Sequence, residues 1–187
     1  MISIQLTSSL STILASEEVV RMMCRQEMMH CQSMAYNGFK RFYRYGSFDR
    51  AKHATMLENF IVENLQDQNE ESIIPMYEVN FKSTVPTGSM LQQMQLIYSI
   101  AKNHINVLSS ASKIALDENE DYLSDYLEKM IKDQSKELAD MRRIIKQVKS
   151  AGNDEGYLRL LDSKLHEKYK VKEKEYFAFT DSKSYKY

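Results

Sequence analysis

The chain has 187 residues, enough for one domain with its own core and short for two. Only 5 Gly and 2 Pro leave little turn material, which favours a few long helices over many short strands. With 25 basic against 26 acidic residues the formal net charge is −1, so the composition carries no global pull toward nucleic acid or an anionic membrane.

Residues 1–15 read as an N-terminal extension. They lack the basic start and sustained apolar run of a secretory signal. No stretch anywhere approaches the about 18 apolar residues of a membrane span, so a cytoplasmic protein is expected. A first helix is predicted over 16–45, with Ser16 as N-cap and Glu17 and Glu18 in the first turn. Its inner stripe reads Val20, Met23, Glu27, Cys31, Met34 and Gly38, and Gly46 is the expected stop. Cys24 and Cys31 sit two helical turns apart, roughly 10 Å, too far for a disulfide with each other. They read as reduced core thiols.

A second helix is predicted over 48–73, with Leu57, Phe60, Ile61, Asn64, Leu65 and Gln68 on its inner face and Pro75 beyond its end. Residues 76–89 form the longest connection, closed by Pro86 and Gly88. A long second-to-third crossover suits a four-helix bundle with one overhand connection. The third helix is expected over 90–116, facing inward through Leu91, Met94, Tyr98, Ala101, Ile105, Leu108 and Ser112. The fourth is expected over 122–149, with Leu123, Leu127, Met130, Gln134, Glu137, Met141, Ile144 and Val148 inside. A short fifth helix over 156–169 completes a bundle domain of residues 16–169, and 170–187 read as an extended tail. The fold class is therefore all-α: a four-helix bundle with a long crossover and a short C-terminal fifth helix.

Most stripe positions are ordinary packing. The 12 Met read as adaptable core filler and the 12 Tyr as amphipathic residues at helix surfaces. The exceptions are polar. Glu27 lies mid-stripe between Met23 and Cys31, and a carboxylate there is costly unless paired, protonated or metal-bound. His30 follows one turn later, and Gln134 and Glu137 face inward from the fourth helix. Two readings stand: inward carboxylates from different helices building a di-iron site, or the same groups hydrogen-bonding one another at the core centre.

In the C-terminal third, Ala115-Leu-Asp-Glu-Asn-Glu-Asp-Tyr122 is followed by Tyr126-Leu127, Gln134-Ser-Lys-Glu137, Ile144-Ile145, Ala151-Gly152, Gly156-Tyr157 and Leu161-Asp162. In that order and spacing, with Val85-Pro-Thr-Gly88 ahead of the third helix, the chain resembles a non-haem bacterial-type ferritin over about residues 17–169. The resemblance implies an iron-binding, iron-storing protein with a di-iron ferroxidase site. Glu27 would be the first-helix ligand, Glu137 a fourth-helix ligand, and Gln134 would lie beside the second metal.

The departures are as informative. Ferritins carry Glu-x-x-His on the second helix, and here the candidates are Glu63-Asn-Leu-Gln66 or Asn64-Leu-Gln-Asp67, neither with a His. His53 and Glu58 come too early for that register. The third-helix Glu is replaced by Ile97 or Tyr98. The expected ligand set is thus Glu27, Glu137, Gln134, Glu63 and His30, with His104 read as a surface or core-filling residue. The resemblance also implies a homo-oligomer, a 24-subunit shell with mineral inside.

A second reading keeps the bundle as a catalytically inactive structural or assembly protein, with the aromatics Tyr176, Phe177, Phe179, Tyr185 and Tyr187 docking on a neighbour. A DNA-protecting mini-ferritin fits less well. Lys164, Lys168, Lys170, Lys172 and Lys174 are interleaved with Glu167, Glu173 and Glu175, a solvated helix face and not a nucleic-acid arm.

Overall fold

The computed structural model describes residues 3–64, 77–79 and 88–183, with side chains through residue 178. Five helices follow one another: α1 (Ile4–Ser33), α2 (Asn37–Asn64), α3 (Met90–Asp117), α4 (Asp121–Ala151) and α5 (Glu155–Lys183). Among the described residues there is no strand. α1 packs on α2, α3 on α4, and α1 on α3, so the expected four-helix bundle is present, with α5 laid along α2 and touching α4. The connection expected over 76–89 and the expected end of the second helix lie mostly outside the described residues.

The first helix begins a dozen residues before its expected start. Ser3 is the N-cap, its hydroxyl accepting from the Leu6 N–H, and it also binds Glu118 at the α3–α4 turn. Leu6, Leu10, Ile13 and Leu14 then recur at helical spacing and are fully buried. Thr7, Ser9, Ser11 and Thr12 donate their hydroxyls to carbonyls four residues back, which lets polar residues sit within a helix. Residues 3–15 are therefore not an extension but the cap and first turns of α1. Ser16, expected as a cap, lies mid-helix and donates to the Ile13 carbonyl at 3.0 Å.

The expected single helix over 16–45 is two helices. α1 ends at Ser33, and Ala35 turns the chain with φ of 57°. α2 then starts at Asn37, and its first N–H groups are capped from outside: Asp162 Oδ1 on α5 accepts from Gly38 at 2.8 Å and Phe39 at 2.9 Å. Gly38 is required there, since a Cβ would lie 1.7 Å from the Asp162 carbonyl oxygen. Gly46, expected as a stop, is inside α2.

α3 and α4 match expectation within two residues. Ser89 and Gln92 form a capping box at the start of α3. α5 runs well past its expected end at 169. Tyr169 and Glu173 are buried, Arg41 pairs with Glu173, and the Tyr176 hydroxyl donates to the Phe48 carbonyl at 3.2 Å. Tyr176 and Phe177 pack on Phe48, so these aromatics dock on this chain's own α2.

The core has two apolar slabs. One joins Leu6, Leu10, Ile13 and Leu14 to Leu57, Ile61, Leu108, Leu123 and Leu127. The other joins Val20, Cys24 and Cys31 to Phe39, Tyr43, Met94, Ile97, Met141, Ile144 and Tyr169. Both cysteines are free and buried, as expected, and burial pushes each thiol up to about 12, so neither is a reactive thiolate. Among the described residues no helix is long and apolar enough to cross a membrane.

Candidate metal centre

Between the two slabs lies a polar layer to which all four bundle helices contribute. α1 supplies Glu17, one turn after Ile13 and Leu14 on the same stripe, and its side chain is fully buried. α2 supplies Asp49, Arg50 and His53, α3 supplies His104, and α4 supplies Gln134 and Glu137. All but Glu137 are buried.

Arg50 is the hub. Its Nη1 donates to Gln134 Oε1 at 2.5 Å and lies 3.2 Å from Glu17 Oε2, while Nη2 donates to Glu137 Oε2 at 2.8 Å. Glu17 Oε1 in turn accepts from Gln134 Nε2 at 2.5 Å and His104 Nε2 at 2.9 Å. The other His104 nitrogen faces the Ser16 hydroxyl. His53 Nδ1 lies 3.9 Å from Glu17 Oε1. Gln134 is thus oriented as a bridge, its carbonyl toward the guanidinium and its amide toward the carboxylate.

Burial alone would raise the Glu17 carboxyl, yet the charge of Arg50 and the contacts of His104 and His53 hold it at about 2. Burial would depress Arg50, and Glu17 and Glu137 raise it instead. Glu137 is pushed the other way. Burial and its hydrogen bond with Asp49 raise it, only partly offset by Arg50. Burial lowers His53, so it is a neutral imidazole with a lone pair to offer.

The expected ligands are not brought to one place. Gln134 and Glu137 are in this layer. Glu27 and His30 sit further along α1, in the second slab, where His30 Nδ1 lies 3.5 Å from Glu27 Oε2 without a hydrogen-bond partner. Glu63 is exposed near the end of α2. Ile97 and Ala101 on α3 line a cavity of about 70 Å³ beside Arg50 and Glu137, and Tyr98 is only partly buried.

The corner at Ala35 explains the misplacement. It starts α2 at Asn37, which moves the inward second-helix pair to Arg50-Ala-Lys-His53, although His53 alone is too early for the expected register. Glu17 was missed because Ser16 looked like a cap. Two signals were available: Glu17 continues the stripe of Leu10 and Ile13 at spacings of three and four, and Arg50 and His53 have the offset of the Glu-x-x-His pair that builds di-iron sites. The Glu position of that pair is an arginine.

A carboxylate di-iron site takes anionic oxygens from every helix of the bundle. Here α2 places a cation at the centre, and the α3 groups facing it are Ile97, Ala101 and His104, none a carboxylate. The residues at the centre do not fit a pair of metal ions.

No curated protein matches the chain in sequence. The fold is similar to an open-pore ferritin from the hyperthermophilic archaeon Archaeoglobus fulgidus, with TM-score 0.79, 19% identity, and coverage of 89% of this chain and 98% of that one. An engineered closed form of the same ferritin matches with TM-score 0.78 and 17% identity, covering 89% of this chain and 97% of that one. A humanized archaeal ferritin matches with TM-score 0.79 and 18% identity, covering 89% and 96%. At such identities the likeness is one of fold. Sequence carries the assignment further, because the ferritin-like domain model matches residues 8–151, taking in α1 from its first turns, Arg50, His53, Gln134 and Glu137, and so the chain belongs to the ferritin-like family.

Proposed function

We propose that the protein is a subunit of an iron-storing homo-oligomeric shell in the cytoplasm, one that holds iron as cargo but does not oxidise it in pairs at the bundle centre. The family and the fold support storage. The observation that carries the second half is Arg50, whose guanidinium binds Glu17, Gln134 and Glu137 at once. Two Fe(II) ions entering there would have to displace it. That would leave a buried guanidinium unpaired, at a cost of several kcal/mol. Iron oxidation then falls to other subunits or to the mineral surface.

A second reading is favoured by the same network: a bundle whose centre is satisfied by its own arginine folds without metal, as an assembly protein would. Anaerobic Fe(II) loading followed by air separates the two, with iron per chain, oxidation rate and particle mass read from one sample. A large shell, of 24 subunits on the family pattern, that fills slowly with many irons per chain supports storage. Rapid oxidation of two irons per chain would sink the claim of a closed centre. An oligomer that leaves iron in solution would make the protein a scaffold.

A further inference from the structure

On the side of α1 and α3 the polar layer runs out to the surface. His104 is 1% exposed, and its two ring nitrogens meet different partners. Nε2 lies 2.9 Å from Glu17 Oε1, and Nδ1 hydrogen-bonds the hydroxyl of Ser16, which is only half-buried. Glu17 is an acceptor, fixed by Arg50 and by Gln134 Nε2 at 2.5 Å. Nε2 of the neutral ring therefore carries the hydrogen, and Nδ1 is a lone pair turned to Ser16. The Ser16 hydrogen has two acceptors in reach, that lone pair and the Ile13 carbonyl at 3.0 Å, and passes between them by rotation about Cβ–Oγ. Hydroxyl, imidazole and carboxylate thus stand in the order required of a serine nucleophile, its base and the group that orients the base. One turn along the same seam, Ser9 and Thr12 of α1 and Asn106, Val107 and Ser110 of α3 line an open groove of about 240 Å³. Those five side chains offer hydroxyls, an amide and an apolar surface, and no charge.

We propose that Ser16, His104 and Glu17 form an acyl-transfer site for small uncharged esters, which bind in the groove between α1 and α3. Ser16 Oγ attacks the ester carbonyl carbon and its proton passes to His104 Nδ1. The tetrahedral intermediate then breaks its bond to the alcohol oxygen, which leaves with that proton. Water attacks the acyl-serine, gives a proton to Nδ1, and expels Ser16 Oγ, which takes the proton back. The products are an acid and an alcohol, and no oxidant, metal or second substrate besides water is consumed. Glu17 touches no reacting atom. It is a positioning residue that keeps Nδ1 facing the serine and stabilises the imidazolium formed in each half of the reaction. The Asn106 amide in the groove wall supplies N–H donors for the oxyanion. The uncharged wall sets the substrate class, since an ionic ester would lose hydration there without a partner. The site opens away from Arg50 and Glu137 and is independent of whether a shell stores iron.

The test treats the full-length protein, in the presence of a chelator, with diisopropyl fluorophosphate, a small uncharged electrophile whose fluoride a serine nucleophile displaces. Intact mass and peptide mapping read the product, and p-nitrophenyl acetate hydrolysis is followed in parallel. Wild type should take one label per chain, on Ser16. Ser16→Ala should take none there and should lose the ester hydrolysis that the label blocks, while its far-UV circular dichroism stays unchanged. His104→Gln should slow labelling by about 100-fold, the scale of a lost general base. Glu17→Gln should lower the maximal labelling rate and leave the half-saturating probe concentration unchanged, with Glu17→Asp recovering part of the rate. Ser33→Ala, on the exposed end of α1, should label as wild type does. A folded wild type that stays unlabelled at Ser16, or that labels equally fast in His104→Gln, would overturn the site and leave Ser16 as a helix hydroxyl bonded to the Ile13 carbonyl. If His104→Gln does not fold, ester hydrolysis in Ser16→Ala decides alone, and a rate equal to wild type overturns the proposal.

Discussion

Glu17 and Glu27 lie on the same stripe of α1, both buried, and they live in opposite circumstances. Glu17 has Arg50, Gln134 and His104 within hydrogen-bonding reach and is held ionised at about 2. Glu27 has His30 at 3.5 Å, and burial, only partly offset by that histidine, raises it. Depth on an apolar stripe therefore says that a carboxylate is costly. What the other helices bring to it decides whether it is an anchor or a burden.

The strongest way to break the contrast is to remove the hub. Arg50→Met leaves Glu17 fully buried and Glu137 without its cation. We expect a loss of about 3–5 kcal/mol in urea unfolding, the range for breaking one partner out of a buried ion pair. Adding Glu17→Gln to Arg50→Met should recover part of that loss, because the uncompensated charge is gone. If the double variant falls by the sum of the two single losses, the residues do not act as a pair.

The contrast is sharpened by pH, where the two glutamates have opposite signs. The native Glu17 carboxyl is depressed from 4.5 to about 2. Its contribution, roughly 3 kcal/mol, is present above the unfolded value and is lost as pH falls toward the native one. More than half of it should be gone by pH 3. Unfolding free energies of wild type and Glu17→Gln should therefore converge between pH 5 and pH 3, and a gap that stays constant would show that Glu17 is not held by charge.

The halves of the chain differ in how far their sequence could be read. α3 and α4 are bounded by a capping box at Ser89–Gln92, a polar turn at residues 118–120 and Gly152, and their spans follow from those signals. Gln134 and Glu137 were placed in the core from periodicity alone. In the first half the corner falls at Ala35, without glycine or proline, and its stability comes from Asp162, more than a hundred residues away. No local pattern encodes that cap. Once the corner was missed, the register of α2 slipped, and with it the identity of the site: Glu63 stood in for Arg50 and His53, and Glu27 for Glu17. The long α5 was hidden in the same way. Its later turns are held by Arg41 and Phe48 on α2 and not by an apolar stripe of their own.

The smallest effect belongs to Glu27, and its sign carries the argument. A carboxyl raised by burial is at home when protonated, so its contribution to stability is full below the unfolded value and is lost as pH rises through the native one. At neutral pH wild type bears that loss, and Glu27→Gln, which keeps the shape and has no charge to desolvate, does not. The variant should match wild type or exceed it, by no more than about 1 kcal/mol at pH 7. The advantage should shrink toward pH 4, the reverse of the pH trend for Glu17. Thermal unfolding of the two proteins at both pH values checks it. A Glu27→Gln protein clearly weaker than wild type at pH 7 would mean that Glu27 has a partner beyond His30, and the contrast between the two glutamates would collapse into two anchored sites.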